Sequence, residues 1–281
     1  MISSPRALSN MELTPNEKGK SMPKGQAMAP AEKAPARPLV ITRGSAGSHL
    51  FTLAQRFSLF NNISQPDINK IADATCKREF ARRETIHSKG DPVRQVILLM
   101  SGSVKIVHFG QNGSEVILRL SRPGELLGSS ALLSADARHR STAQALAQST
   151  AFVWDAEVFV SLSQQFPALV RNTRHILARR LEEMEIRFRE VSAEPIAARL
   201  SYQLIRMMNV MGHPVNQEID IRISREEIAQ GIGTTLHCVN RLLSEWTKQG
   251  VVRRRRGVVT IRNPQALIEL SQNGGRMLLK H

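Results

Sequence analysis

Near the C-terminal end of the 281-residue chain, three side chains able to bond a base edge stand at helical spacing: His237, Asn240 and Arg241, with Leu236 beside them. The Arg241 guanidinium fork fits guanine O6 and N7, the commonest specific contact between protein and DNA. Asn240 suits adenine or a phosphate oxygen, and His237 offers an imidazole donor or acceptor. Ile223 to Leu243, the segment that carries them, is punctuated as two helices. Ser224 with Glu227 three residues later is a capping box, Ile228 and Ile232 give the first helix its apolar face, and Gly233 ends it. Thr235 caps a second helix that buries Val239, Leu242 and Leu243 and turns Leu236, His237, Asn240 and Arg241 outward. Two short helices joined at a glycine turn, the second polar on its exposed N-terminal half, are built to enter a major groove. Ser224, Arg225 and Thr235 are counted with the DNA-contacting set. Just beyond, Gly250 to Ile261 reads as a β-hairpin with Arg253, Arg254, Arg255 and Arg256 near its tip. Four consecutive cations suit phosphates better than a core, the alternative being a solvated charge run.

Cys238 lies on the outward half of the second helix, where the helix N-terminus and Arg241 both favour a thiolate. It is the redox candidate, the plainer alternative being a small residue that permits close approach to DNA. Cys76 is the other cysteine, so disulfide frameworks, zinc fingers and a four-thiolate iron-sulfur cluster lack ligands. Haem needs one or two axial ligands, for which Cys76, His87, His108 and His139 are available, none in a motif that compels ligation. No metal site is expected. Paired carboxylates, a nucleophile elbow and metal-spaced histidines are all missing, so the chain is not expected to be an enzyme.

The elements that must position these groups can also be read. Lys and Arg number 39 against 24 Asp and Glu, a formal charge of +15, which favours a polyanionic partner. No apolar stretch is long enough to span a membrane and no secretory block opens the chain, so a cytoplasmic location is expected. Residues 1–48, rich in Pro, Ala, Lys, Ser and Gly, read as a disordered tail. A short helix is predicted from Ser64 to Ala74. From Glu79 to Asp155, short β-rich runs alternate with turn signals, including Val96 to Met100, Val104 to Val107, Asn112-Gly113 and Val116 to Leu118, as in a small antiparallel barrel. After Pro167 the period becomes helical. Val170, Leu177, Leu181, Met184, Phe188 and Val191 recur at three- and four-residue steps, the seam of a coiled coil, with Leu177, Leu181, Met184 and Phe188 as dimer contacts. One amphipathic helix packed on its own barrel is the alternative.

Barrel, long helix and winged helix-turn-helix, in that order, resemble the Crp-Fnr regulators, the family of the cyclic-AMP receptor protein and the fumarate-nitrate reduction regulator. The resemblance runs from about residue 50 to 271. It rests on Ile86-His87-Ser88-Lys89-Gly90-Asp91, Leu99-Met100-Ser101-Gly102-Ser103-Val104-Lys105, Pro123-Gly124-Glu125-Leu126-Leu127-Gly128 and the helix-turn-helix segment. It implies an α+β fold: a cyclic-nucleotide-binding-type antiparallel β-barrel of the jelly-roll kind over residues 49–166, a dimerisation helix over 167–192 and a winged helix-turn-helix over 193–281. It also implies base readout by His237, Asn240 and Arg241. The family usually carries Glu where this chain has His237, so a different half-site is expected. The effector pocket implied is Gly128, Ser129, Arg140 and Ser141. Nucleotide-binding members place a ribose-binding Glu where this chain has Ser129, and hold the phosphate with an Arg-Ser pair, here Arg140-Ser141 after a one-residue adjustment. Without that carboxylate, cyclic AMP is expected to bind weakly or not at all; no other effector is implied. Expected partners are double-stranded DNA, a second copy of the chain and RNA polymerase, with activation of transcription the family tendency. The rival function is a sensor module acting on a protein or membrane partner, against which Arg241 and the arginine wing argue.

Overall fold

Apolar runs with alternating exposure, separated by tight turns, pair into two antiparallel four-stranded sheets in the computed structural model, which describes residues 57–110 and 113–274. Strands β1 (Cys76–Phe80), β8 (Ser149–Asp155), β3 (Gln95–Ser101) and β6 (Leu126–Leu127) form the first sheet, in that order. Strands β2 (Thr85–His87), β7 (Thr142–Ala145), β4 (Val104–Phe109) and β5 (Glu115–Ser121) form the second. Phe80, Ile97, Leu99, Val104, Ile106 and Val153 fill the space between them. The other face of the first sheet is apolar too. There Val96, Leu98, Phe152 and Trp154 pack under helices, which is why the β3 run is almost continuously hydrophobic instead of alternating. Trp154, fully buried, donates from Nε1 to the Ile71 carbonyl at 3.1 Å and meets Phe159 edge to face, so its polar atom is satisfied inside the core.

The covering helices are α1 (Gln65–Asp73), α2 (Ala156–Gln165) and the first half of α3 (Pro167–Ala193). Ser64 caps α1 through the Asp67 amide, as its sequence predicts. The first stretch of helix α3 packs on its own barrel. Leu169, Asn172, Thr173 and Ile176 form a buried stripe against the barrel, and Asn172 Nδ2 donates to the carbonyls of Leu59 and Asn61 at 2.8 Å each. Beyond it the buried stripe ends, while Leu181, Met184, Phe188 and Val191 stand 61%, 50%, 75% and 51% exposed.

The C-terminal module contains more than the predicted helix pair and hairpin. Helix α4 (Ile196–Met211) and strands β9 (Gly212–Val215) and β10 (Glu218–Ile221) precede α5 (Arg225–Ile232) and α6 (Leu236–Lys248). Strands β11 (Val252–Arg255) and β12 (Val258–Ile261) then complete a sheet of order β11-β12-β10-β9, and α7 (Pro264–Gln272) closes the core against α4. The hairpin is therefore one edge of a four-stranded sheet, because Ile219 and Ile221 supply the apolar partners that β12 needs. The described residues all lie in one compact unit. The expected tail (1–48) and Asn112 of the predicted turn lie outside the described residues.

Acid sensitivity follows from one barrel feature. The His87 and His139 rings stack with centroids 3.6 Å apart. Burial, and then the neighbouring His139, push the His87 imidazole down to about 3. An unfolded chain protonates it near 6.5, so below that pH the unfolded state binds more protons and stability falls with acidification. The expected loss from this group is about 2 kcal/mol between pH 7 and pH 5. Urea unfolding at the two pH values measures it. His87→Phe, which keeps a ring in the stack but cannot titrate, should lose less; an unchanged loss would mean that the folded barrel already holds His87 charged.

Candidate DNA-binding face and its supports

The capping box at α5 is formed in both directions. Ser224 Oγ accepts from the Glu227 amide at 3.1 Å, and the Ser224 amide donates to Glu227 Oε2 at 2.9 Å. Gly233 ends α5 with φ +63°, a left-handed backbone that glycine adopts without strain, and the chain turns into α6. Thr235 Oγ1 then accepts from the Cys238 amide at 3.3 Å. Val239, Leu242, Leu243 and Trp246 are buried, anchoring α6 to the module's core. Sequence reasoning left out Trp246, although it extends the same apolar spacing by one turn.

With α6 so held, Thr235, Leu236, His237 and Arg241 are exposed, and Cys238 and Asn240 are partly covered. Asn240 is not free to rotate: Arg225 Nη1 donates to its Oδ1 at 2.9 Å. Arg225 thus holds an amide of the neighbouring helix, a contact its position in the sequence did not reveal. Arg241 makes no ion pair with a described residue. The Thr235 hydroxyl, then that of Thr234, and the Arg241 cation lower the Cys238 thiol from its ordinary value, outweighing partial desolvation.

The four wing arginines divide by strand alternation. Arg253 and Arg255 point to the sheet face that carries Glu218 and Asp220: Arg253 pairs with Glu218, and Arg255 Nη2 lies 2.5 Å from Asp220 Oδ2. Arg254, on the opposite face, reaches toward the Asn240 carbonyl at 3.5 Å. Arg256 sits at the turn, exposed, beside Gly257 with φ +70°. The run is therefore not four equivalent phosphate contacts. Two of its charges are partly neutralised by acids on β10, a strand the sequence analysis did not identify.

The module is also tied to the barrel. Lys105, buried in β4, bonds Glu115 at 2.5 Å and stands 3.9 Å from the capping-box carboxylate of Glu227. Arg187 of α3 donates to the Leu118 carbonyl at 2.5 Å and to the Gly231 carbonyl at 3.0 Å, joining β5 to the end of α5. Neither link has a local sequence signal, since each depends on residues dozens of positions apart.

In the expected effector region, Gly128 is left-handed at φ +74°, and any Cβ there would sit 2.2 Å from the Gln95 carbonyl oxygen. Ser129 is buried, Arg140 exposed and Ser141 intermediate. Glu125, the nearest acidic residue in the chain, is buried and already shared by Arg119, Arg122 and Arg180. Of the haem candidates, His87 and His139 face each other too closely for a planar group between them. His108 Nε2 lies 2.6 Å from the Arg140 carbonyl, and Cys76 is partly covered in β1. No cluster of three or more His, Cys, Asp or Glu suited to a metal occurs among the described residues, and no described helix is long and apolar enough to cross a membrane.

Known proteins share this arrangement. The family model of the cyclic nucleotide-binding domain matches residues 77–166, and that of the Crp-like helix-turn-helix domain matches residues 198–270. The cyclic AMP receptor protein of Thermus thermophilus is 28% identical over 213 residues, covering 76% of this chain and 96% of that protein. The fumarate and nitrate reduction regulatory protein of Escherichia coli is 26% identical over 198 residues, covering 69% and 78%. Among solved structures, a CRP-family transcriptional regulator from Thermus thermophilus superposes with a TM-score of 0.62 at 24% identity, covering 72% of this chain and all of that one. FixK2 from Bradyrhizobium japonicum gives 0.61 at 21%, covering 70% and 96%. With both domains in this order on one barrel-helix-winged-helix fold, the chain belongs to the Crp-Fnr family of transcription regulators.

Proposed function

We propose that the protein is a cytoplasmic homodimeric regulator that binds an inverted-repeat operator with two copies of α6, under control of a signal received by the barrel. The observation that carries this reading is the exposed face of α6, where His237 and Arg241 are presented beside an Asn240 held by Arg225. The exposed apolar stripe Leu181, Met184 and Phe188, continuing from Leu177, supplies the dimer seam, and two recognition helices about 34 Å apart would meet successive major grooves. Ser224, Thr235 and the wing run Arg253 to Arg256 would face the DNA backbone, with Arg254 and Arg256 free of the acids that pair Arg253 and Arg255, while Arg225 positions Asn240. RNA polymerase is the protein partner such a regulator would engage. Cys238, activated at this face, is where oxidation would add bulk against DNA.

Hydrogen exchange of the full chain with and without a 30-base-pair mixed duplex tests the reading. Protection should concentrate in residues 235–241 and 253–257. No protection by the duplex in either segment would favour the rival sensor module instead. Within the wing, Arg256→Gln should weaken all duplexes alike and reduce the salt slope of binding by about 1, whereas a change confined to one sequence would place Arg256 on a base.

The barrel signal is not expected to be cyclic AMP. Ser129 offers no carboxylate to the ribose, and Glu125 is committed to three arginines. A ligand shifts a conformational equilibrium only by its differential affinity for the two states. Calorimetry should therefore detect no micromolar binding, and operator affinity should be unchanged by the nucleotide. Micromolar binding with tighter operator affinity would restore cyclic AMP as the effector.

A further inference from the structure

An asparagine reads adenine in the major groove with both ends of its amide: the carbonyl accepts from N6 and the NH2 group donates to N7. Asn240 has one of those ends already engaged. Arg225 Nη1, from helix α5, lies 2.9 Å from Asn240 Oδ1. A guanidinium can only donate, so the partner itself fixes which end of the amide is the oxygen. What remains to face a base is Nδ2, with two donors and no acceptor. The second lone pair of Oδ1 is of little use to a base amino group, which would have to approach alongside a guanidinium carrying charge of the same sign.

Further cations stand close by. Arg254 of strand β11 reaches toward the Asn240 backbone carbonyl at 3.5 Å, and its Nε is buried with no hydrogen-bond partner among the described residues. Arg241 follows directly on α6 and is exposed. Asn240 thus has guanidiniums of three elements, α5, α6 and β11, as neighbours, and such surroundings favour a base edge that accepts over one that donates.

We infer that Arg225 is a specificity-determining residue: by occupying Asn240 Oδ1 it turns Asn240 from a reader of adenine into a reader of keto bases. One position of each half-site then takes guanine or thymine, whose O6 or O4 accepts from Nδ2. Adenine and cytosine are disfavoured there, because their N6 and N4 amino groups would meet donors. The inference rests on the reading of α6 as the recognition helix. The other Arg225 nitrogens stay available to a backbone phosphate, a contact that carries no sequence information. The base ratio, not the affinity, is therefore what reports on this role.

Selection from a pool of random duplexes by the full chain tests it, with Arg225→Ala, Arg225→Lys and Asn240→Ala selected in parallel and thermal melting verifying that each variant folds. The position whose preference Asn240→Ala abolishes should favour guanine or thymine over adenine about tenfold in the unaltered protein. Arg225→Ala should move that ratio toward adenine by about tenfold, at that position alone, because Oδ1 is returned to the base. Arg225→Lys keeps a donor beside Oδ1 and should retain the keto preference. An adenine preference in the unaltered protein, or a ratio that Arg225→Ala leaves unchanged, would overturn the inference. So would a half-site in which Arg241→Ala relaxes one position and Asn240→Ala none, an outcome that leaves the regulator reading intact. Retained DNA with no base preference at any position would remove both.

Discussion

Leu181→Asp is expected to convert the protein from dimer to monomer and to weaken binding to an inverted repeat by about a hundredfold or more. Leu181 is 61% exposed in the single chain and lies between Met184 and the barrel-packed start of the seam. Burying it against its own counterpart removes apolar surface from water on both helices. An aspartate there would bring two like charges together in a site closed to solvent. Loss of the dimer uncouples the two half-sites, and the second contact then forfeits its effective concentration, a factor of about 10² to 10⁴. The seam does not contribute to the barrel core, so the monomer should keep its fold. Sedimentation equilibrium reads the mass, and fluorescence anisotropy reads the affinity. A variant that sediments as a normal dimer would move the seam elsewhere.

Arg241→Ala is expected to cost about 1–3 kcal/mol on the best operator and to relax the preference at one base pair of each half-site. The size follows from the chemistry of a bidentate arginine. Its five donors are fixed in a plane, and with no described carboxylate to hold it, Arg241 loses little by turning to a guanine. The Asn240 amide, already bonded to Arg225, should respond differently: Arg225→Ala frees the side chain and should weaken binding without moving the preferred base at the Arg241 position. Competition binding against operators substituted one base at a time separates the two. If Arg241→Ala leaves both affinity and preference unchanged, α6 is not the reading helix.

Much of this was legible from local chemistry. The capping box Ser224-Glu227, the stop at Gly233 and the cap at Thr235 are decided within a few residues, and each formed as written. The strands of the barrel could be placed because β-rich runs and turn glycines alternate over short distances. The chain-order resemblance then supplied the topology. What escaped were the partners that only the fold creates. Strands β9 and β10 are short, and β9 carries His213 and Pro214, so they give a weak strand signal, yet their acids Glu218 and Asp220 decide which wing arginines remain uncommitted. Helix α4 does have the right apolar spacing, in Leu200, Leu204, Met207 and Met211, and was within reach of the same periodicity argument. Lys105 could not be anticipated: alternation in β4 would turn it to solvent, and the Glu115 and Glu227 carboxylates that keep it buried come from two other elements.

The most direct test of the central claim is selection from a pool of random duplexes by the full chain, followed by sequencing of the retained DNA. The account predicts enrichment of an inverted repeat whose half-sites lie about one helical turn, roughly 10 base pairs, apart. A guanine in each half-site should lose its enrichment when Arg241→Ala is selected in parallel. Retained DNA with no sequence in common beyond the starting pool would contradict the claim, leaving the arginine wing as a general polyanion contact and α6 as a helix that reads nothing.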